Sequence, residues 1–172
     1  MLKELAIAFG IMSVCVVLHV LGIVALTEWL LKKTAVKERI TVMHTAVMLI
    51  TTYSLILLLH AVDAFIWAIF YYIRELFPTF ETSLYFSLTS YTTIGYGDVV
   101  LPERWRLLGA VEGISGVLLS GLSTALLFLI LQYLLRLRKE LKPKKHGKRT
   151  PKPPPPTIIP EPAPIAPAAP LA

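Results

Sequence analysis

Thr93-Ile94-Gly95-Tyr96-Gly97-Asp98 is the stretch of this chain best suited to holding an ion. Two glycines flank a single tyrosine, so the segment fits poorly into a helix, and glycine adopts backbone angles that other residues resist. Successive carbonyl oxygens can then point the same way. A ring of such strands would replace the water shell of a dehydrated cation with carbonyl oxygens, using the backbone rather than any side chain. A tight surface turn is the plainer reading, because Gly-Tyr-Gly-Asp is good turn chemistry. The flanking sequence decides between them. Irregular backbone at membrane depth survives only where it lines a cavity or is buried in protein, and long apolar runs lie on both sides of this segment.

Few other residues offer chemistry. His60 and Asp63 lie one helical turn apart, a spacing at which side chains meet. Counted back from Tyr72, Asp63 lies about 13 Å deep, and Glu112 lies about 10 Å below Trp105, at a rise of about 1.5 Å per residue. That is the level expected of the glycine segment. Charges there are costly unless paired or neutral. The expectation is a hydrogen-bonded group of His60, Asp63, Glu112 and hydroxyls such as Thr89 behind the segment, with a packing network of no regulatory role as the plainer alternative. His44 sits near the opposite interface, so no metal site of His60, Asp63 and His44 is expected, and His19 reads as a packed polar residue. The sequence holds no nucleotide loop, nucleophile triad or metal-ligand cluster. Neither enzyme activity nor a cofactor is expected.

The elements that must position these residues are membrane helices. Of 172 residues 55% are hydrophobic and only 16% charged, and the mean hydropathy is +0.67. A soluble domain carries more charge and fewer unbroken apolar runs. The first run goes from Leu5 to about Thr27, enough to span a hydrocarbon core of roughly 30 Å. It is too long for a signal-peptide core, Glu4 dilutes the basic start, and no small-residue cleavage site follows, so a retained span is expected. The second run goes from about Thr41 to Tyr72 and ends in interfacial aromatics. After Pro78, Glu81 to Thr92 is apolar but only about 12 residues long, too short to span, and reads as a re-entrant or buried helix. Thr79, or Glu81 to Thr82, could cap it. The last run goes from about Trp105 to Leu135.

The formal charge of +6 could point to nucleic acid. The basic residues instead cluster just outside the apolar runs, where membrane proteins place them, and no nucleic-acid partner is expected. Lys32, Lys33, Lys37 and Arg39 follow the first run, and Arg136, Arg138 and Lys139 end the last. Both segments are expected in the cytoplasm, with the N-terminus and the 74–106 region outside. Cys15, the single cysteine, lies inside the first run and excludes an intrachain disulfide. Residues 143–172 turn basic and then rich in proline and alanine, which reads as a disordered, partly polyproline-II tail on the cytoplasmic side that could serve an unknown partner.

Ser90-Tyr91-Thr92-Thr93-Ile94-Gly95-Tyr96-Gly97-Asp98 resembles the potassium-channel signature, with Ile94 where valine is commoner. The order of span, short helix, glycine segment and span over residues 41–138 is similar to that family's pore domain. The resemblance implies an all-α membrane protein of three transmembrane helices plus a re-entrant pore helix and selectivity filter, assembled with three identical subunits as a tetrameric pore. Residues 1–40 would then be an additional helix with its basic loop, and 139–172 the cytoplasmic tail. K⁺ would be the only metal, met by carbonyls of Thr93, Ile94, Gly95 and Tyr96 and by the Thr93 hydroxyl. Gly97 and Asp98 would complete the filter. Tyr85, Phe86, Thr89 and Thr92 would support it, with the Tyr96 ring braced against Tyr85 and Phe86. Gly116 would be the hinge of the inner helix, and Val117, Ser120, Thr124 and Phe128, on one stripe, would line the cavity. The pore helix departs from the family in lacking its tryptophan pair, and the first span carries no repeated arginine, so it is no voltage sensor. A non-selective cation channel and a non-conducting membrane scaffold acting through the tail are the alternatives.

Overall fold

The computed structural model describes residues 2–35 and 41–140. Lys37, Arg39 and the proline-rich tail lie outside the described residues. The helices are α1 (Leu2–Ala35), α2 (Val42–Ile73), α3 (Phe80–Tyr91) and α4 (Arg106–Glu140), with a 3-10 turn at Glu103–Trp105 before α4. Leu2–Thr34, Val42–Ile73 and Glu103–Glu140 are each long and apolar enough to cross a membrane. The helices overrun the apolar runs, because Glu4, Lys32, Lys33, Arg136 and Arg138 are good helix formers whose long stems keep their charges in water.

Local chemistry sets the ends. Thr41 opens α2, its hydroxyl accepting from the His44 N–H at 3.3 Å. Of the two cap readings for α3, the Thr79 hydroxyl takes the role, accepting from the Thr82 N–H at 3.1 Å. The end of α2 is a Schellman motif: Leu76 N–H donates to the Tyr71 carbonyl and Glu75 N–H to that of Tyr72. Glu75 occupies the left-handed position at φ +54°, where glycine is the usual residue.

α1 packs against both α2 and α4, and α3 sits between α2 and α4. At one end Glu4 meets Arg104 at 2.5 Å, and at the other the Thr34 hydroxyl lies 3.2 Å from that of Tyr133. α1 and α4 thus run parallel. Gly22 lets α1 close on α2, since a Cβ there would come within 2.5 Å of Leu59. Apolar side chains gather at both ends of the bundle. Trp67, Tyr71, Phe77, Phe86, Trp105 and Leu108 fill the end near Arg104, and Leu30, Met48, Ile130 and Leu134 fill the other. Between these two layers lie the buried side chains of His19, Asp63 and Ser123.

Candidate functional site

The glycine segment leaves α3 without a linker. Thr93 N–H donates to the Ser90 carbonyl at 2.9 Å, and Gly95 N–H donates to the Thr89 carbonyl at 3.1 Å. Two of the segment's amides therefore point back at the helix. Thr93, Gly95 and Gly97 have φ of +60°, +53° and +79°, whereas Ile94 and Tyr96 between them do not take positive φ. Alternating the hand of the backbone turns successive peptide units the same way, gathering N–H groups on one side and carbonyl oxygens on the other. Glycine supplies that geometry freely at 95 and 97. Thr93 adopts it with a side chain, a conformation that costs about 1–2 kcal/mol. Ile94 and Tyr96 are 56% and 69% exposed, so the segment's outer face has no cover among the described residues.

Tyr85 and Thr89 bond to the segment directly. The Tyr85 hydroxyl donates to Asp98 Oδ2 at 2.7 Å, tying α3 to the far end of the segment. Hydrogen bonding to that carboxylate raises the phenol above its ordinary pKa. Phe86 packs on Phe77 and Tyr71, at ring separations of 5.0 Å and 5.4 Å. Thr89 supports the segment through its carbonyl, while its hydroxyl returns to the Phe86 carbonyl at 3.0 Å. The Thr92 hydroxyl likewise returns to Leu88 at 2.6 Å.

α4 closes the other side. A Cβ on Gly116 would collide with the Tyr91 carbonyl, and one on Gly113 would come within 3.2 Å of the Ser90 carbonyl. Small residues at this spacing let helix backbones meet. α4 runs unbroken through Gly116, and the glycine gives room there for the end of α3. Val117, Ser120, Thr124 and Phe128 do share one exposed stripe. The Ser120 hydroxyl donates to the Gly116 carbonyl, and that of Thr124 to the Ser120 carbonyl at 2.8 Å. A cleft of about 380 Å³ lined by His60, Tyr91, Thr93, Val117 and Ser120, and another of about 500 Å³ lined by Ser90, Thr93, Gly95 and Gly113, flank the start of the segment.

His60, Asp63 and Glu112 fall into two hydrogen-bonded groups, not one. In the first, His19 Nδ1 meets Asp63 Oδ2 at 2.6 Å and His19 Nε2 meets the Ser123 hydroxyl at 2.9 Å. The Tyr91 hydroxyl donates to the same Asp63 oxygen at 3.2 Å and lies 2.8 Å from His60 Nδ1. In the second, the Tyr71 hydroxyl donates to Glu112 Oε2 at 2.7 Å, and the Ser87 hydroxyl lies 2.5 Å from Glu112 Oε1 and 2.7 Å from the Ala64 carbonyl. The expected union of His60, Asp63, Glu112 and Thr89 does not form, because Tyr71 and Ser87 satisfy Glu112 on their own side of α3. Sequence reasoning took His19 for packing alone and left out Tyr91, Ser123, Tyr71 and Ser87. A histidine inside an apolar run was the available signal.

This arrangement can offer a column of backbone oxygens on a scaffold of apolar helices. Residues 57–133 match the family model for ion channels. The match takes in most of α2, all of α3, the glycine segment and α4 as far as Tyr133, and leaves α1 outside. With three helices of spanning length, it supports an integral membrane protein with an ion-channel function. No curated protein and no solved structure matches the chain.

Proposed function

We propose that the chain is one subunit of a homotetrameric, potassium-selective channel whose filter is Thr93 to Asp98. The observation that carries this reading is the positive φ at every second residue, Thr93, Gly95 and Gly97. It lets the carbonyls of Thr93, Ile94, Gly95 and Tyr96 face one axis, with the Thr93 hydroxyl below them, and a stack of such oxygens replaces the water shell of K⁺. One segment supplies one side of that stack. Three further copies complete it around a fourfold axis, which also gives the exposed Ile94 and Tyr96 neighbours to pack against. α3, at 12 residues, is too short to span and serves as the re-entrant pore helix. The exposed stripe of Val117, Ser120, Thr124 and Phe128 then faces the central cavity, where its hydroxyls suit a hydrated ion.

Charge and packing support one orientation. The Glu4–Arg104 pair joins the start of α1 to the outer end of the pore loop. Lys32, Lys33, Arg136, Arg138 and Lys139 lie at the opposite ends of α1 and α4, and Lys and Arg mark the cytoplasmic side. The N-terminus is therefore outside and the C-terminus in the cytoplasm. Lipid covers the outward apolar faces, and K⁺ is the permeant ion rather than a cofactor.

Flux from liposomes containing the purified protein tests the reading. Barium-sensitive flux that favours potassium over sodium is expected. Equal flux of both cations would make the channel non-selective, and none from an assembled tetramer would favour the scaffold reading.

A further inference from the structure

His19 plays no part in the filter reading, yet it is the centre of a hydrogen-bonded chain that crosses the whole bundle. Its two ring nitrogens bond Asp63 of α2 and Ser123 of α4. Asp63 also takes the hydroxyl of Tyr91, the last residue of α3. Tyr91 sits where α3 meets α4 and turns into the filter. Its own carbonyl rests on Gly116, and the preceding carbonyl, that of Ser90, holds the Thr93 N–H. A path of bonded groups therefore runs from α4 through α1 and α2 to the residue from which the filter starts. His19 and Asp63 are each 1% exposed, so neither can exchange its partner for water. The same path does not depend on the charge of the imidazole. A neutral ring donates from Nδ1 to Asp63 and accepts at Nε2 from Ser123, and a charged one donates from both.

A transition-metal site is the competing use of these groups, since His19, His60 and Asp63 bring ligand atoms within 4.8 Å of one another. Zinc bonds of about 2.0–2.1 Å need ligand atoms roughly 3.4 Å apart. Both His19 nitrogens are already engaged, so the hydrogen-bonded chain accounts for the cluster better.

We propose that His19 is a positioning residue for the filter: by holding Asp63 it fixes the Tyr91 hydroxyl and so the end of α3, which makes α1 a working part of the pore. This rests on the channel reading above. Losing the imidazole leaves Asp63 buried with Tyr91 as its side-chain donor. A buried carboxylate short of a donor is strongly disfavoured, and Tyr91 and Asp63 must shift together to recover it. That shift reaches the filter through Ser90 and Thr93.

The experiment uses the full chain in liposomes and reads the ratio of potassium to sodium flux, with oligomer size measured on the same preparations. His19→Leu is expected to lower the ratio about tenfold, the factor set by one charge-assisted hydrogen bond, while the oligomer is retained. His19→Gln, whose amide can serve both Asp63 and Ser123, recovers most of the loss. Tyr91→Phe cuts the chain at its last link and lowers the ratio similarly, and the double variant His19→Leu/Tyr91→Phe falls no further than either single one. An unchanged ratio in His19→Leu, or effects of the two that multiply, overturns the inference. Should His19→Leu fail to assemble, Ser123→Ala removes one bond to the ring and is expected to lower the ratio by a smaller factor; no change there is equally damaging. Wild-type liposomes that pass neither cation, or both equally, defeat the potassium-channel reading and this inference with it. Selective wild-type flux beside an unaltered His19→Leu defeats the inference alone.

Discussion

Gly95 and Gly97 stand at φ +53° and +79°, where an added Cβ costs about 1–2 kcal/mol through contact with the backbone. Gly95→Ala is therefore expected to abolish potassium preference while helix content by circular dichroism stays at the wild-type level, because the strain falls on a segment outside every helix. Retained selectivity in that variant would contradict the alternating backbone. Glu112 carries a second prediction. The Ser87 hydroxyl has one proton and two acceptors in reach, Glu112 Oε1 and the Ala64 carbonyl, and a neutral Glu112 that donates to Ser87 satisfies all of them. Glu112→Gln should then assemble and melt within about 1 kcal/mol of wild type, whereas Glu112→Leu, which strands Tyr71 and Ser87, should lose about 1–3 kcal/mol. Thermal dissociation in detergent reads both. The glycine segment was legible in the sequence because its signal is local, with glycines at alternate positions beside a polar lead. The partner of Asp63 was not. His19 lies 44 positions away, and no spacing rule links residues on separate helices.

Helices were legible as apolar runs, and their contacts were only partly so. Gly116 was recognisable as a special position, but the sequence cannot distinguish a hinge from a place of close approach. The collision of a Cβ with the Tyr91 carbonyl shows that Gly116 is at least a place of close approach. Gly116→Ala is expected to loosen α3 from α4 and lower stability by about 1–3 kcal/mol, the range for overpacking a close contact. Wild-type stability in that variant, measured by the same thermal dissociation, would mean that α3 does not rest there. The end of α2 offers the opposite sign. Glu75 holds a left-handed position at φ +54° without the freedom of glycine, so Glu75→Gly should stabilise the chain by up to about 1 kcal/mol. A fall in stability would show that the Glu75 side chain contributes more than its backbone strain costs. The α3 cap was legible in advance because Thr79 stands immediately before the helix, and capping is a rule of nearest neighbours.

The bundle as a whole joins one end near Glu4 and Arg104 to another near Thr34 and Tyr133. α1 bears apolar residues on every side, so its sequence names no preferred face, and its position against both α2 and α4 could not be read in advance. The polar side chains of Glu4, His19 and Thr34 fix that position, one near each end and one between them. The proposed orientation predicts that a cysteine replacing Glu103 reacts with a membrane-impermeant thiol reagent from outside and one replacing Lys33 only from inside; labelling of both from one side would overturn it. The central claim concerns the ion. Single channels of the reconstituted wild-type protein, with potassium on one side of a planar bilayer and sodium on the other, give it directly through the reversal potential. A carbonyl-lined filter from Thr93 to Asp98 predicts a large reversal potential that drives potassium back against its gradient. A reversal potential near zero in an open, barium-sensitive channel would contradict it.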